Sequence, residues 1–197
     1  MEKYYQCQKC YQILPISQLV ENKECKYCAS KKFDIWPSSE IQELFNAVDK
    51  FEEETLEYNI IASVFISSAL ELLLEKLIYI MAIEDLSYEQ ADHLVECVLD
   101  TNQGRSRRLN LFKYFGYGSF NDHVSKIGYK KYMKKWEKII NIRNKSVHGE
   151  VKNLEKLSKN FLNNFIDESL DIFSTLNNIY NEESFTFKYS VNKNSYI

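Results

Sequence analysis

The 197-residue sequence is poor in turn formers, with five glycines and two prolines. That scarcity excludes a collagen-like or low-complexity chain and favours long regular elements. Long apolar runs are also missing. The most hydrophobic stretch, Ile60 to Ile83, is broken by Glu71, Glu75 and Lys76, and its uninterrupted opening is shorter than the roughly 20 residues a membrane-spanning helix needs. The opening MEKYYQCQKC lacks the apolar run of a secretory signal. A cytoplasmic protein with no membrane partner is the expectation. What the chain does have is aromatic mass, with 14 Tyr, 12 Phe and 2 Trp in a composition 45% apolar and 27% charged. That suffices for one medium domain, or one domain plus a small module, and excludes a disordered chain.

The net charge is only −3, from 25 basic and 28 acidic residues. Taken alone it argues against a polyanionic partner, but the distribution reverses the argument. Between Arg105 and His148 stand twelve Lys and Arg and only two acids, Asp122 and Glu137, so this segment carries +10 and the remainder −13. A basic block inside an acidic protein is the footprint of a phosphate-binding surface. The competing reading is that Lys131, Lys134, Lys138 and Lys145 line a solvated helix face balanced by acidic helices elsewhere.

Four of the five cysteines form two knuckles, Cys7-Gln-Lys-Cys10 and Cys25-Lys-Tyr-Cys28, separated by 14 residues. Each knuckle brings two thiolates to one turn, and two knuckles complete the four-sulfur tetrahedron that Zn2+ prefers. Disulfides are the alternative, disfavoured by the paired spacing and the expected compartment. With all four ligands Cys and no position left for water, the ion is expected to be structural. A segment this short buries no core of its own, so metal would supply most of its folding energy. His93 and Cys97 are four apart on an expected helix, but no second pair accompanies them.

The expected organisation is a zinc ribbon over residues 1–36, an all-α helical bundle over 37–182, and a tail over 183–197. Pro37 ends the ribbon, and Ser38 or Ser39 caps a helix carrying Ile41, Leu44, Phe45, Val48 and Phe51. A long helix runs to about Ile83. Ser87 and Gln90 form a capping box before a third helix with Leu94, Val95, Val98 and Leu99 inward. A short basic helix spans 105–115, Gly116 to Ser119 is a loop, and another short helix precedes Gly128. A strongly periodic helix covers Tyr129 to His148, with Gly149 at its C′ position. A last helix runs from about Asn153 to Tyr180. The alternation Phe185-Thr-Phe187-Lys-Tyr189-Ser-Val191 allows a short terminal strand.

The helix ending at Gly149 carries the candidate chemistry. At about 100° per residue, Tyr132, Trp136, Ile139, Ile140 and Val147 fall within about 60° of Arg143. The wheel therefore places Arg143 in the apolar seam, where a guanidinium needs a carboxylate, a phosphate or a partner chain. Asn144 and His148 continue the arc to the edge of the seam. An arginine holds a phosphodiester through two oxygens and stabilises its transition-state charge. A histidine moves protons at an attacking 2′-hydroxyl or a leaving oxygen, and an asparagine orients either one. Together they suffice for metal-independent cleavage of RNA, with the 2′-hydroxyl as internal nucleophile. DNA would not be cut this way.

The segment Ile142-Arg143-Asn144-Lys145-Ser146-Val147-His148-Gly149 resembles the R-x4-6-H motif of the HEPN superfamily, with the polar residue after the arginine typical of its ribonuclease members. The early helical stretch Ser68 to Ile78 is also similar, and the resemblance spans roughly residues 38 to 180. It implies a helical bundle acting as a homodimer whose two motifs face one cleft, often a toxin or abortive-infection effector. It also implies a cognate antitoxin or a defence-system partner. Carried over by position, Arg143 binds phosphate, His148 transfers the proton and Asn144 is the polar companion. Glu71 is a supporting residue that pairs Arg143 in the free protein. Lys131, Lys134, Lys138, Lys145, Arg107 and Arg108 are the expected RNA-binding residues. One branch of the superfamily carries a tyrosine two residues after the histidine; Glu150 stands there instead, so control by modifying that tyrosine is not expected.

Three alternatives compete. A helix ending in Lys, His and Gly suits the negative end of its dipole, which accounts for Lys145, His148 and Gly149 but not for Arg143 and Asn144. A non-catalytic RNA-binding or adaptor protein would use the same arc to dimerise. A zinc-ribbon DNA-binding regulator is the third, although no recognition helix follows the ribbon. His93 and His123 read as surface histidines.

Overall fold

The computed structural model describes residues 3–20, 24–53, 55–83, 85–94, 104–150 and 154–181. It is mostly helical, with a small antiparallel sheet at the N-terminal end. The sheet comprises β1 (Tyr4–Cys7), β2 (Ile13–Pro15) and β3 (Phe33–Trp36) in the order β2-β1-β3, with a single short helix α1 (Ile16–Val20) after β2. Tyr5 opposes Leu14 on one side and Ile35 on the other. The all-α expectation therefore holds for the bundle and needs this sheet added.

The bundle is built around α3 (Leu56–Ala82). Its buried residues, from Tyr58 through Ala82, form a stripe wider than half the circumference, while Ile61, Phe65, Leu72 and Tyr79 on the remaining face are half-buried, as expected for a helix with neighbours on several sides. Thr55 caps it, accepting from the Tyr58 N–H at 3.0 Å. Around it pack α2 (Ser39–Ala47), α5 (Gly104–Phe115), α7 (Tyr132–Val147) and α8 (Lys159–Asn181). Two short helices, α4 (Tyr88–Leu94) and α6 (Phe120–Lys126), and a 3-10 turn at Val48–Lys50 complete the described elements. The capping box at α4 forms as expected: Gln90 N–H meets Ser87 Oγ at 3.3 Å, and Ser87 N–H meets Gln90 Oε1 at 3.0 Å.

Aromatic side chains fill the space between α5, α6, α7 and α8. Phe120 meets Trp136 edge-on at 5.8 Å and Phe112 at 5.1 Å, and Tyr132 stacks on Phe165 at 5.0 Å. Such contacts add about 0.5–1.5 kcal/mol each beyond area burial. Tyr132 is fully buried, and its hydroxyl meets Ser169 Oγ at 2.9 Å.

The sheet is fastened to the bundle. Tyr4 and Ile13 belong to the same hydrophobic cluster as the bundle helices, whereas Cys7, Leu14 and Cys25 form a separate small one. Asn178 of α8 grips the backbone of Ile13, accepting from its N–H at 2.6 Å and donating to its carbonyl at 2.7 Å.

Several boundaries differ from the sequence expectation. The Tyr129-to-His148 segment is helical only from Tyr132, and the last helix starts at Lys159 rather than near Asn153. Residues 154–158 are neither helix nor strand and are tied to α3, where Leu157 N–H donates to Asn59 Oδ1 at 2.7 Å. Val95, Cys97, Val98, Leu99 and the tail over 183–197 lie outside the described residues.

Candidate functional site

The two cysteine knuckles repeat one another. In the first, Tyr11 N–H donates to Cys7 O at 2.9 Å and Cys7 N–H to Gln12 O at 2.9 Å; in the second, Ala29 donates to Cys25 O at 2.8 Å and Cys25 to Ser30 O at 2.7 Å. Tyr11 and Ala29 close the turns with φ of 57° and 55°. The four sulfurs all lie within 4.8 Å of one another, with Cys7 to Cys28 and Cys10 to Cys25 at 3.5 Å. Bonds of about 2.3 Å in a tetrahedron place sulfurs about 3.8 Å apart, so the cluster fits a metal ion. Burial resists ionisation at Cys7, but the Cys10 and Lys9 backbone N–H groups and the Cys28 thiol outweigh it and bring the thiol down to about 6. Burial instead pushes Cys10 up to about 12 and also raises Cys25.

The second candidate site is the end of α7. Gly149 adopts φ 74° at C′, its N–H donates to Ser146 O at 3.2 Å, and Glu150 N–H reaches Lys145 O at 2.8 Å. These two bonds are the Schellman closure. Arg143 and Asn144 lie in the last turn and a half of this helix, and His148 is its C-cap residue. The seam itself ends earlier than the wheel suggests. Tyr132, Trp136, Ile139, Ile140 and Ile142 are buried, Arg143 is half-buried, and Val147 is 67% exposed. Asn144 and His148 are exposed. Arg143 makes no ion pair with any described residue.

Glu71 does not meet Arg143. Its Oε2 lies 3.4 Å from Nη1 of Arg108, and Arg108 also donates from Nε to Glu75 Oε1 at 2.8 Å. Arg108 thus faces inward, its side chain 13% exposed, and is not available as a surface contact. The lysines divide as well. Lys131, Lys134 and Lys145 are exposed. Lys138 pairs with Glu155 at 2.5 Å and lies over the Phe161 ring, and Lys135 pairs with Glu168 at 2.5 Å. Arg107 is half-buried.

Of the two histidines read as surface residues, His93 is exposed but His123 is fully buried. Its Nδ1 lies 3.0 Å from Ser119 O, and its ring meets Phe112 edge-on at 5.2 Å and Tyr180 at 6.1 Å. Burial lowers its pKa below the ordinary histidine value. The spacing Phe120, His123, Val124 is an i, i+3, i+4 core pattern that signals this burial. Sequence reading also missed Arg105, whose guanidinium lies over Trp136 at 5.5 Å.

Compared with protein-family models, curated proteins and solved structures, the chain matches none. Among the described residues, no helix is long and apolar enough to cross a membrane.

Proposed function

We propose that this protein is a metal-independent endoribonuclease of HEPN type, working as a homodimer, in which a structural zinc ion holds the N-terminal ribbon. The observation that carries the reading is the half-buried Arg143, without a carboxylate partner among the described residues, beside exposed Asn144 and His148. A guanidinium left in that state is poised for an external anion. In the reaction Arg143 holds the scissile phosphodiester and balances its added transition-state charge. His148 takes the proton of the 2′-hydroxyl or delivers one to the leaving 5′-oxygen, and Asn144 orients the substrate. Val147, apolar and exposed one turn beyond Arg143, supports a second copy packing beside the arc, so that two arcs share one cleft. Growth arrest or antiviral defence is the accompanying biological role.

The test is cleavage of RNA by purified protein in the presence of EDTA. The expected products end in 2′,3′-cyclic phosphate, 2′-deoxy substrates stay intact, and His148→Ala abolishes cleavage while leaving RNA binding largely unchanged. Absence of any EDTA-resistant cleavage, together with undiminished toxicity of His148→Ala on expression, sinks the proposal.

A further inference from the structure

A cleft of about 990 Å3 opens at the C-terminal end of α5. Asn110, Lys113 and Tyr114, spaced i, i+3, i+4 on one face of α5, line it together with Tyr117 in the turn that follows the helix. Asp85, in the turn after α3, and Asp122, in the first turn of α6, line the same cleft. The cleft is distinct from the α7 arc. It lies at the opposite end of α5 from Arg105, which covers Trp136, and Arg143 is seven residues further along α7 than Trp136.

Its two tyrosines are displayed rather than stored. Tyr114 is 74% exposed and Tyr117 45%, while Tyr58, Tyr132 and Tyr180 are buried in the core. The backbone fixes the display. Gly116 N–H donates to Phe112 O at 2.7 Å, and a Cβ on Gly116 would come within 2.7 Å of that same oxygen. This close approach demands glycine there, and the next residue, Tyr117, has a left-handed φ of 54°, uncommon for a non-glycine residue.

Two exposed tyrosine faces with a lysine beside them suit a nucleobase and its phosphate, because every base offers a π-face. The rim then selects among bases. Carboxylates only accept hydrogen bonds. Asp122 is held by its own cap, accepting from Ser119 Oγ at 2.5 Å, and Asp85 has no side-chain partner among the described residues. Of the four RNA bases, guanine alone presents two adjacent donors, N1–H and the N2 amine, to a single carboxylate. Adenine and cytosine set their amine next to an acceptor nitrogen.

We infer that this cleft binds a guanine base, stacked on Tyr114 and Tyr117 and read by Asp85, with Lys113 at the phosphate. The base belongs either to single-stranded RNA or to a free guanine nucleotide. The RNA form rests on the ribonuclease reading; the free-nucleotide form does not.

The experiment uses the full zinc-loaded chain carrying His148→Ala, with fluorescence anisotropy of labelled UUGUU, UUAUU and UUUUU and calorimetry with GMP. UUGUU is expected to bind roughly ten-fold more tightly than the other two, the discrimination of one good bidentate contact. Tyr114→Ala costs roughly ten-fold, and Asp85→Asn erases the preference for guanine. Both residues are exposed, so neither substitution endangers folding. Tight GMP binding with the same sensitivities identifies the free nucleotide as the ligand. Equal binding of the three oligomers, or binding indifferent to Tyr114→Ala and Asp85→Asn, overturns the inference. Guanine binding by a protein whose wild type cleaves no RNA leaves this site standing and removes only the ribonuclease proposal.

Discussion

Arg108 lies between Glu71 and Glu75, joining α5 to two successive turns of α3 through one guanidinium. The three side chains are 13%, 15% and 19% exposed, so little water compensates either carboxylate if the arginine is lost. Arg108→Ala is therefore expected to destabilise the fold on the order of 3 kcal/mol, the cost of stranding buried charge. Urea unfolding followed by circular dichroism measures it. Neutralising the acids as well, with Glu71→Gln and Glu75→Gln in an Arg108→Met background, recovers most of the loss.

The lysines of the basic segment should not contribute equally to RNA binding. Lys134 and Lys145 are exposed and have no ion-pair partner among the described residues, whereas Lys135 and Lys138 are already paired with Glu168 and Glu155. Lys134→Ala and Lys145→Ala are each expected to reduce the slope of log affinity against log salt by about one. Lys135→Ala leaves the slope nearly unchanged. Titrations at several salt concentrations with a catalytically dead protein give the slopes.

His123 makes stability depend on pH. Burial holds its folded pKa below the ordinary value of 6.5, so as pH falls through that value the unfolded chain takes up a proton that the folded chain refuses. Stability is full above about pH 6.5 and is lost as pH falls below it, down to the depressed folded pKa. His123→Phe, which keeps a ring against Phe112 and Tyr180, removes this contribution. Between pH 7 and pH 5 the melting temperature of the wild type should fall more steeply than that of His123→Phe.

Metal binding should release protons. Burial keeps the Cys10 and Cys25 thiols protonated at neutral pH, and each must become a thiolate to ligate. Zinc affinity is thus expected to rise with pH. Calorimetry in two buffers of different ionisation enthalpy counts the protons, and one zinc per chain, lost in Cys25→Ser, checks the stoichiometry. Cobalt substitution should give tetrahedral thiolate spectra.

What was legible in the sequence was local. The knuckles, the Ser87 capping box and the Gly149 closure each depend on a few adjacent residues, and each appears where its spacing places it. The wheel gave the apolar face of α7 but not its extent, because burial depends on what covers a helix. Residues 154–158 form no helix and α8 starts only at Lys159, and the last turns of α7 carry Arg143 half-open and Val147 bare. Glu71 went to Arg108 rather than Arg143 for a similar reason: the choice between two arginines distant in sequence is made by helix packing, which periodicity does not encode. His123 looked polar by type, and only its partners Phe112 and Tyr180 make it core.

The Asn178 grip on Ile13 has a consequence for how the sheet meets other chains. By donating to the carbonyl and accepting from the N–H of one β2 residue, a single amide side chain imitates one residue of an additional strand. β2 is thereby blunted against edge-to-edge association, the usual hazard of a small sheet. β3 is the other border, and its Ile35 is 63% exposed. Any chain that extends this sheet by strand addition is directed to β3, beside the start of the bundle.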